Sequence, residues 1–209
     1  RSDEIDGFSF VGGKTLGRDL AARMIRPTTR HMLEMEGVNA YGIWQFSDWP
    51  SLSKQLKKGF EFGKQRCTAY VRFVVQRDLL PAFLEMYLGT VKGLRIGHPL
   101  ATPLDSKTAT PPELDFGPLI NAAKVEELHD RVSEATHGGG LELYRGRLDD
   151  ALFIPGQDRS AYLAPILLAN IPTKIFLYFN EPFGPIDTLV VVDTLDQLVD
   201  EMNVSNGNL

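Results

Sequence analysis

Gly63-Lys64-Gln65-Arg66-Cys67-Thr68-Ala69-Tyr70-Val71-Arg72-Phe73 holds the one cysteine of a chain of 209 residues. A free cysteine most often behaves as a small buried hydrophobe. Here the neighbours argue for chemistry. Lys64 and Arg66 set two cations beside the thiol, and cations favour the thiolate. Gly63 allows a sharp turn just before it. Such a turn leaves the sulfur exposed near the start of the next element, with backbone N–H groups aimed at whatever it attacks. Cys67 therefore reads as a catalytic nucleophile, with a buried core thiol as the alternative.

Working outward from that stretch, Ser47-Asp48-Trp49-Pro50 reads as a turn, and Ser51 or Ser53 as the cap of a helix running through Leu56 and Phe60 to the cysteine turn. Val71 to Gln76 is β-branched and aromatic, a strand, and Asp78 reads as the cap of a helix through Leu80, Phe83, Tyr87 and Val91 with Pro81 in its first turn. Upstream, Phe8 to Val11 is a short strand. It leads into Gly12-Gly13-Lys14 and a helical pattern through Leu20, Met24 and Ile25 that Pro27 ends. A strand, a glycine turn and a helix N-terminus can receive a phosphate, although a plain helix start fits equally. His31 to Met35 alternates as a strand. Glu34 at its end is either a solvated carboxylate or a general base facing a cleft. Ala40 to Phe46 is another strand.

Downstream, residues 97–118 are rich in Pro, Thr and Ser and read as a surface loop. Ala122, Val125, Leu128 and Val132 mark one helical face, stopped by Gly138-Gly139-Gly140. Leu141 to Tyr144, Leu163 to Asn170 and Leu189 to Val192 read as strands. Asn180 to Pro185 is a proline-stiffened turn, and Thr194 with Gln197 forms a capping box for a last helix through Leu198 and Met202. Strands alternating with helices indicate an α/β fold with a mainly parallel sheet.

Composition is that of an ordinary globular chain: 43% hydrophobic, 23% charged, net charge −5. No basic run supports a nucleic-acid surface. A single cysteine forms no internal disulfide and fits a reducing, cytoplasmic setting. No apolar run approaches the roughly 20 residues that span a membrane.

Taken together these segments resemble the NAD(P)-dependent aldehyde dehydrogenase superfamily. Gly63 to Gln76 with Leu94 to Leu100 is similar to its cysteine region, and Phe10 to Arg18 to its strand–turn–helix at the dinucleotide. Leu33-Glu34-Met35-Glu36-Gly37 resembles its general-base strand. Phe116 to Ile120, Asn180 to Pro185 and Asn203-Val204-Ser205-Asn206-Gly207 match further family segments in the family's order. The resemblance implies an aldehyde dehydrogenase-like catalytic domain over residues 37–209, preceded by the end of a Rossmann-type cofactor domain over residues 1–36. It implies oxidation of a small-molecule aldehyde to a carboxylic acid with NAD or NADP. In that scheme Cys67 carries the thiohemiacetal and thioester, and Glu34 activates water. Glu181 meets the nicotinamide ribose, Phe183 lies beside it, and Gly12 and Gly13 lie near the pyrophosphate. It also implies a homo-oligomer in the full-length protein.

Three positions depart from the family pattern. Lys64 stands where glycine is usual, Glu36 replaces the first of two glycines, and Gly13 replaces a serine. Lys64 is expected to lower the thiol pKa further or to crowd the turn. Glu36 is expected to set a second carboxylate near Glu34, raising one pKa by like-charge repulsion. The family fold extends beyond the chain on both sides, so the resemblance implies a portion of a member that does not turn over alone. Two other readings stand beside this one. The first is a non-catalytic, partner-binding relative with an inert Cys67. The second is a thiol hydrolase, which needs a base from among His31, His98, His129 and His137. No spacing of His, Cys, Asp and Glu matches a metal-ligand pattern.

Overall fold

The computed structural model describes residues 5–24, 29–101 and 110–205. Ile25, Pro27, Asn206 and Gly207, named above, lie outside the described residues. The chain opens as β1 (Gly7–Gly12), α1 (Lys14–Met24) and β2 (Arg30–Met35). The two strands pair in parallel, with Phe10 opposite Leu33, Val11 opposite Glu34 and Gly12 opposite Met35. The chain then leaves this two-stranded sheet for a five-stranded one. That sheet is built from β3 (Ala40–Ile43), β4 (Arg72–Gln76), β5 (Leu141–Arg145), β6 (Ile166–Ala169) and β7 (Ile186–Val192), in the order β3-β4-β7-β6-β5. All its pairings are parallel except β5 on β6. The mainly parallel α/β reading holds, with one antiparallel edge.

Strand composition follows from coverage on both faces. β6 is Ile-Leu-Leu-Ala with every residue buried, and only the last residue of β4 is not fully buried. Because side chains alternate across a strand, each strand feeds two cores. Phe73, Val75, Leu167 and Leu189 join α2 (Trp49–Gly59) and α3 (Leu80–Lys92) through Leu52, Leu56, Phe83 and Tyr87. Ile166, Leu168 and Ile186 meet α4 (Ala122–His137) through Val125, Leu128 and Val132. Val74 and Val192 meet Leu198 of α6 (Leu195–Met202). A four-residue helix, α5 (Phe176–Phe179), precedes the Asn180–Pro185 turn and has no counterpart in the sequence reading.

Element ends differ from expectation for local reasons. Asp48, not a serine, caps α2: its carboxylate accepts the Ser51 N–H at 3.2 Å, and Pro50 falls in the first turn, where its missing N–H costs nothing. Asp78 lies in a single 3₁₀ turn (Arg77–Leu79), and α3 starts without a side-chain cap. Asn121 caps α4 through the Lys124 N–H. β3 stops at Ile43, ahead of Gln45 at φ +48°, and β6 stops at Ala169, ahead of Asn170 at φ +53°. The capping box of α6 forms with Thr194 and Gln197 as read.

Candidate active site

The turn before Cys67 is unusual backbone. Phe62, Gly63 and Lys64 have φ of 57°, 60° and 59°. Glycine adopts this conformation freely, but for Phe62 and Lys64 it costs about 1–2 kcal/mol each. Lys64 holds the turn from within. Its side chain is 1% exposed and donates to Asp187 Oδ1 at 2.5 Å and to the Tyr70 carbonyl at 2.7 Å. Tyr87 donates to the other oxygen of Asp187 at 2.7 Å, and the ammonium sits 4.3 Å over the Phe60 ring. Burial pushes the Lys64 ammonium down and the Asp187 carboxyl up, with the ion pair opposing both shifts. The expectation that Lys64 faces the thiol is therefore corrected. The left-handed turn swings its side chain into the core beneath the sheet.

Other groups pin the same turn. Gln65 donates to the Phe62 carbonyl at 2.9 Å and accepts the Ile120 N–H at 2.8 Å. Arg66 donates to the Lys58 carbonyl at 2.9 Å and approaches Glu61 at 3.4 Å. Asn39, 2% exposed between β2 and β3, donates its amide to the Cys67 and Ala69 carbonyls. Its own carbonyl accepts the N–H groups of Val71 and Arg72. The sequence reading missed Asn39. The one available signal was a polar residue placed at the entrance to an apolar strand.

Cys67 is partly exposed and lines a cavity of about 570 Å³. Gly12 and Gly13 at the β1–α1 turn, Glu34 at the end of β2, and Glu181 and Phe183 of the proline-stiffened turn line it too. Every site residue read from the sequence thus reaches one concave space. Glu36, Arg66, Lys124 and Glu127 complete its charged lining. A neighbouring cavity of about 540 Å³ shares Arg66, Lys124 and Phe183 with it and adds Phe62, Gln65 and Ile120. None of the histidines lines either cavity. Among the described residues, no group of three or more His, Cys, Asp or Glu is arranged to hold a metal ion, and no helix is long and apolar enough to cross a membrane.

Glu181 is the most perturbed group in the cavity. It is 5% exposed and its Oε1 has no hydrogen-bond partner. Burial first, then the nearby Glu36 charge, push its carboxyl up to about 7, against the opposing pull of Lys14 and Lys124. The repulsion foreseen for Glu36 thus acts on Glu181. Phe183 next to it has φ +53° and is 40% exposed. A Cβ at Gly184 would stand 2.3 Å from Leu128 Cδ1, so a larger residue there would have to displace that buried side chain.

A sequence profile of the Aldehyde dehydrogenase family matches residues 1–209. The chain belongs to the aldehyde dehydrogenase family. Among curated relatives, an aldehyde dehydrogenase of Didymella fabae is 28% identical over 206 residues, which is 96% of this chain and 38% of that protein. A 4-(hydroxymethyl)benzenesulfonate dehydrogenase of Comamonas testosteroni is 28% identical over 198 residues, covering 93% of this chain and 37% of that one. Among solved structures, betaine aldehyde dehydrogenase from Staphylococcus aureus in complex with NAD+ superposes with a TM-score of 0.79 at 22% identity, over 97% of this chain and 38% of that one. This aldehyde dehydrogenase family chain therefore spans about two fifths of the length of the relatives it matches.

Proposed function

We propose that the cavity is an aldehyde-oxidising site in which Cys67 is the nucleophile and Glu34 the general base. The observation that carries this reading is the meeting of Cys67, Glu34, Glu181 and the Gly12-Gly13 turn on one space. In this account residues 1–36 belong to the cofactor side and residues 37–209 to the catalytic side.

The residues suit a nicotinamide nucleotide. Glu181 Oε1 is a buried acceptor without a donor, as a ribose hydroxyl requires. At Gly13 an added Cβ would meet no backbone atom within 4 Å, only the Glu36 Oε1 at 3.5 Å, so the backbone at the turn is open and a side-chain oxygen stands over it. Glu181 and Phe183 would hold the nicotinamide riboside, and Gly12 and Gly13 the phosphate. When bound, NAD or NADP supplies the acceptor for the aldehyde's hydride.

The chain's own residues do the rest. The Cys67 sulfur attacks the aldehyde carbonyl carbon, forming a C–S bond and placing the negative charge on oxygen, close to backbone N–H groups of the turn. After oxidation Cys67 carries the acyl group as a thioester. The Glu34 carboxylate takes a proton from water as that water attacks the acyl carbon. The C–S bond breaks, the carboxylic acid leaves and the sulfur is restored. Asn39 and Lys64 keep the sulfur's turn in place throughout. Reduction of NAD or NADP by the full-length protein with a panel of aldehydes tests the reading. Activity is expected in the wild type and absent in Cys67→Ala. An unchanged rate in Cys67→Ala removes Cys67 from the chemistry.

A further inference from the structure

The strongest departure from the family pattern lies on the cofactor side of the cavity. Gly12 pairs with Met35, the last residue of β2, so the residue that follows the strand, Glu36, comes beside Gly13 and the start of α1. Its Oε1 accepts the Lys14 N–H at 2.9 Å. That N–H belongs to the first turn of an 11-residue helix, where backbone donors have no partner inside the helix and the dipole favours a negative charge. The same oxygen lies 3.5 Å from where a Cβ on Gly13 would stand, so the carboxylate covers the glycine turn itself. Glu36 thus holds the place and the charge that a phosphate would take there.

A second acid borders this end of the cavity: Glu181, 5% exposed, has a buried oxygen, Oε1, without a hydrogen-bond partner. Of the nearby cations, Lys124 pairs with Glu127 at 3.1 Å, while Lys14 Nζ donates to the neutral Phe179 carbonyl at 3.3 Å. A phosphate arriving at α1 would therefore meet the Glu36 charge directly, offset in part by Lys14.

We infer that Glu36 is an internal anion that occupies the phosphate place at the N-terminus of α1 and must leave it for a nicotinamide nucleotide to bind. This rests on the cofactor reading above. The carboxylate sets the protein's cofactor affinity low, and its displacement is a step in binding.

Comparing nicotinamide mononucleotide with nicotinamide riboside, which lacks the phosphate, isolates the contact. Dissociation constants for both are measured by ligand-observed NMR on the full-length protein, in the wild type, Glu36→Gln and Glu36→Gly. In the wild type the phosphate is expected to add little affinity. In Glu36→Gly it should add about tenfold, from restored access to the helix N-terminus and loss of one repelling charge. Glu36→Gln keeps an oxygen for the Lys14 N–H and should fall between. An equal gain from the phosphate in all three proteins overturns the inference and leaves the cofactor reading intact. Failure of either ligand, and of NAD and NADP, to bind any of them overturns both.

Discussion

Lys64→Met tests what holds the turn before Cys67. The substitution keeps most of the buried stem and removes the ammonium that bonds Asp187 Oδ1 and the Tyr70 carbonyl. Asp187 is 0% exposed and would keep the Tyr87 hydroxyl as a donor. Stripping one partner from a buried pair leaves an uncompensated charge and costs about 3–5 kcal/mol. For a chain of this size each kcal/mol lowers Tm by about 2–4 °C, so a fall of roughly 6–20 °C is expected. Urea unfolding gives the free energy directly. Asp187→Asn in the Lys64→Met background should recover a good part of the loss, since it removes the stranded charge while keeping an oxygen for Tyr87. With the wild type and Asp187→Asn alone, these variants form a double-mutant cycle with a coupling of about 2 kcal/mol or more. A loss under about 1 kcal/mol, the scale of an exposed pair, would refute the reasoning. It would mean that the ammonium is solvated and the left-handed turn supports itself.

Asn39→Ala removes the amide that bonds the Cys67 and Ala69 carbonyls, and should lower stability by about 1–3 kcal/mol in the same unfolding assay while broadening the NMR signals of residues 66–69. Glu181 makes stability depend on pH with a definite sign. Its carboxyl is raised from 4.5 to about 7 in the fold. Below about pH 4.5 it is protonated in both states and carries no penalty. The penalty grows as pH rises through the window up to 7, and is full above it. Glu181→Gln should therefore stabilise the fold at pH 8 but not at pH 4, by less than about 3 kcal/mol, read as a higher Tm at pH 8 only. Gly184→Ala drives a methyl to within 2.3 Å of Leu128 Cδ1 and should cost about 1–3 kcal/mol of overpacking, read by thermal unfolding.

Much of the candidate site was legible in the sequence because its residues sit at element ends, where motif and geometry coincide. Gly12-Gly13 mark a strand-to-helix turn, Glu34 lies near the end of β2, and Glu181 and Phe183 are held in a proline-stiffened turn. The layered fold was legible in the apolar runs of β4, β6 and β7. What stayed hidden depends on direction and distance. Lys64 is adjacent to Gln65 and Arg66 in sequence, yet its conformation sends it to Asp187, 123 residues away. Asn39 acts through contacts with Cys67 and Ala69 that no local pattern marks. The direction of β5 is not written in its composition, because an edge strand exposed at every residue but Tyr144 carries no sign of either sense. The cap of α2 was placed on Ser51 or Ser53 because these serines stand beside Asp48, and only the backbone decides which one can reach the free N–H.

The central claim is that Cys67 carries the substrate's acyl group and Glu34 releases it. The direct measurement is intact-protein and peptide mass spectrometry of full-length Glu34→Gln after mixing with an aldehyde panel and NAD or NADP. Slowed hydrolysis should leave an adduct on the peptide containing Cys67, heavier by the mass of the aldehyde less two hydrogens. The adduct should be absent from Cys67→Ala/Glu34→Gln and short-lived in the wild type. Reduced cofactor accumulating without any adduct on Cys67, or the same adduct persisting in Cys67→Ala/Glu34→Gln, would contradict the account.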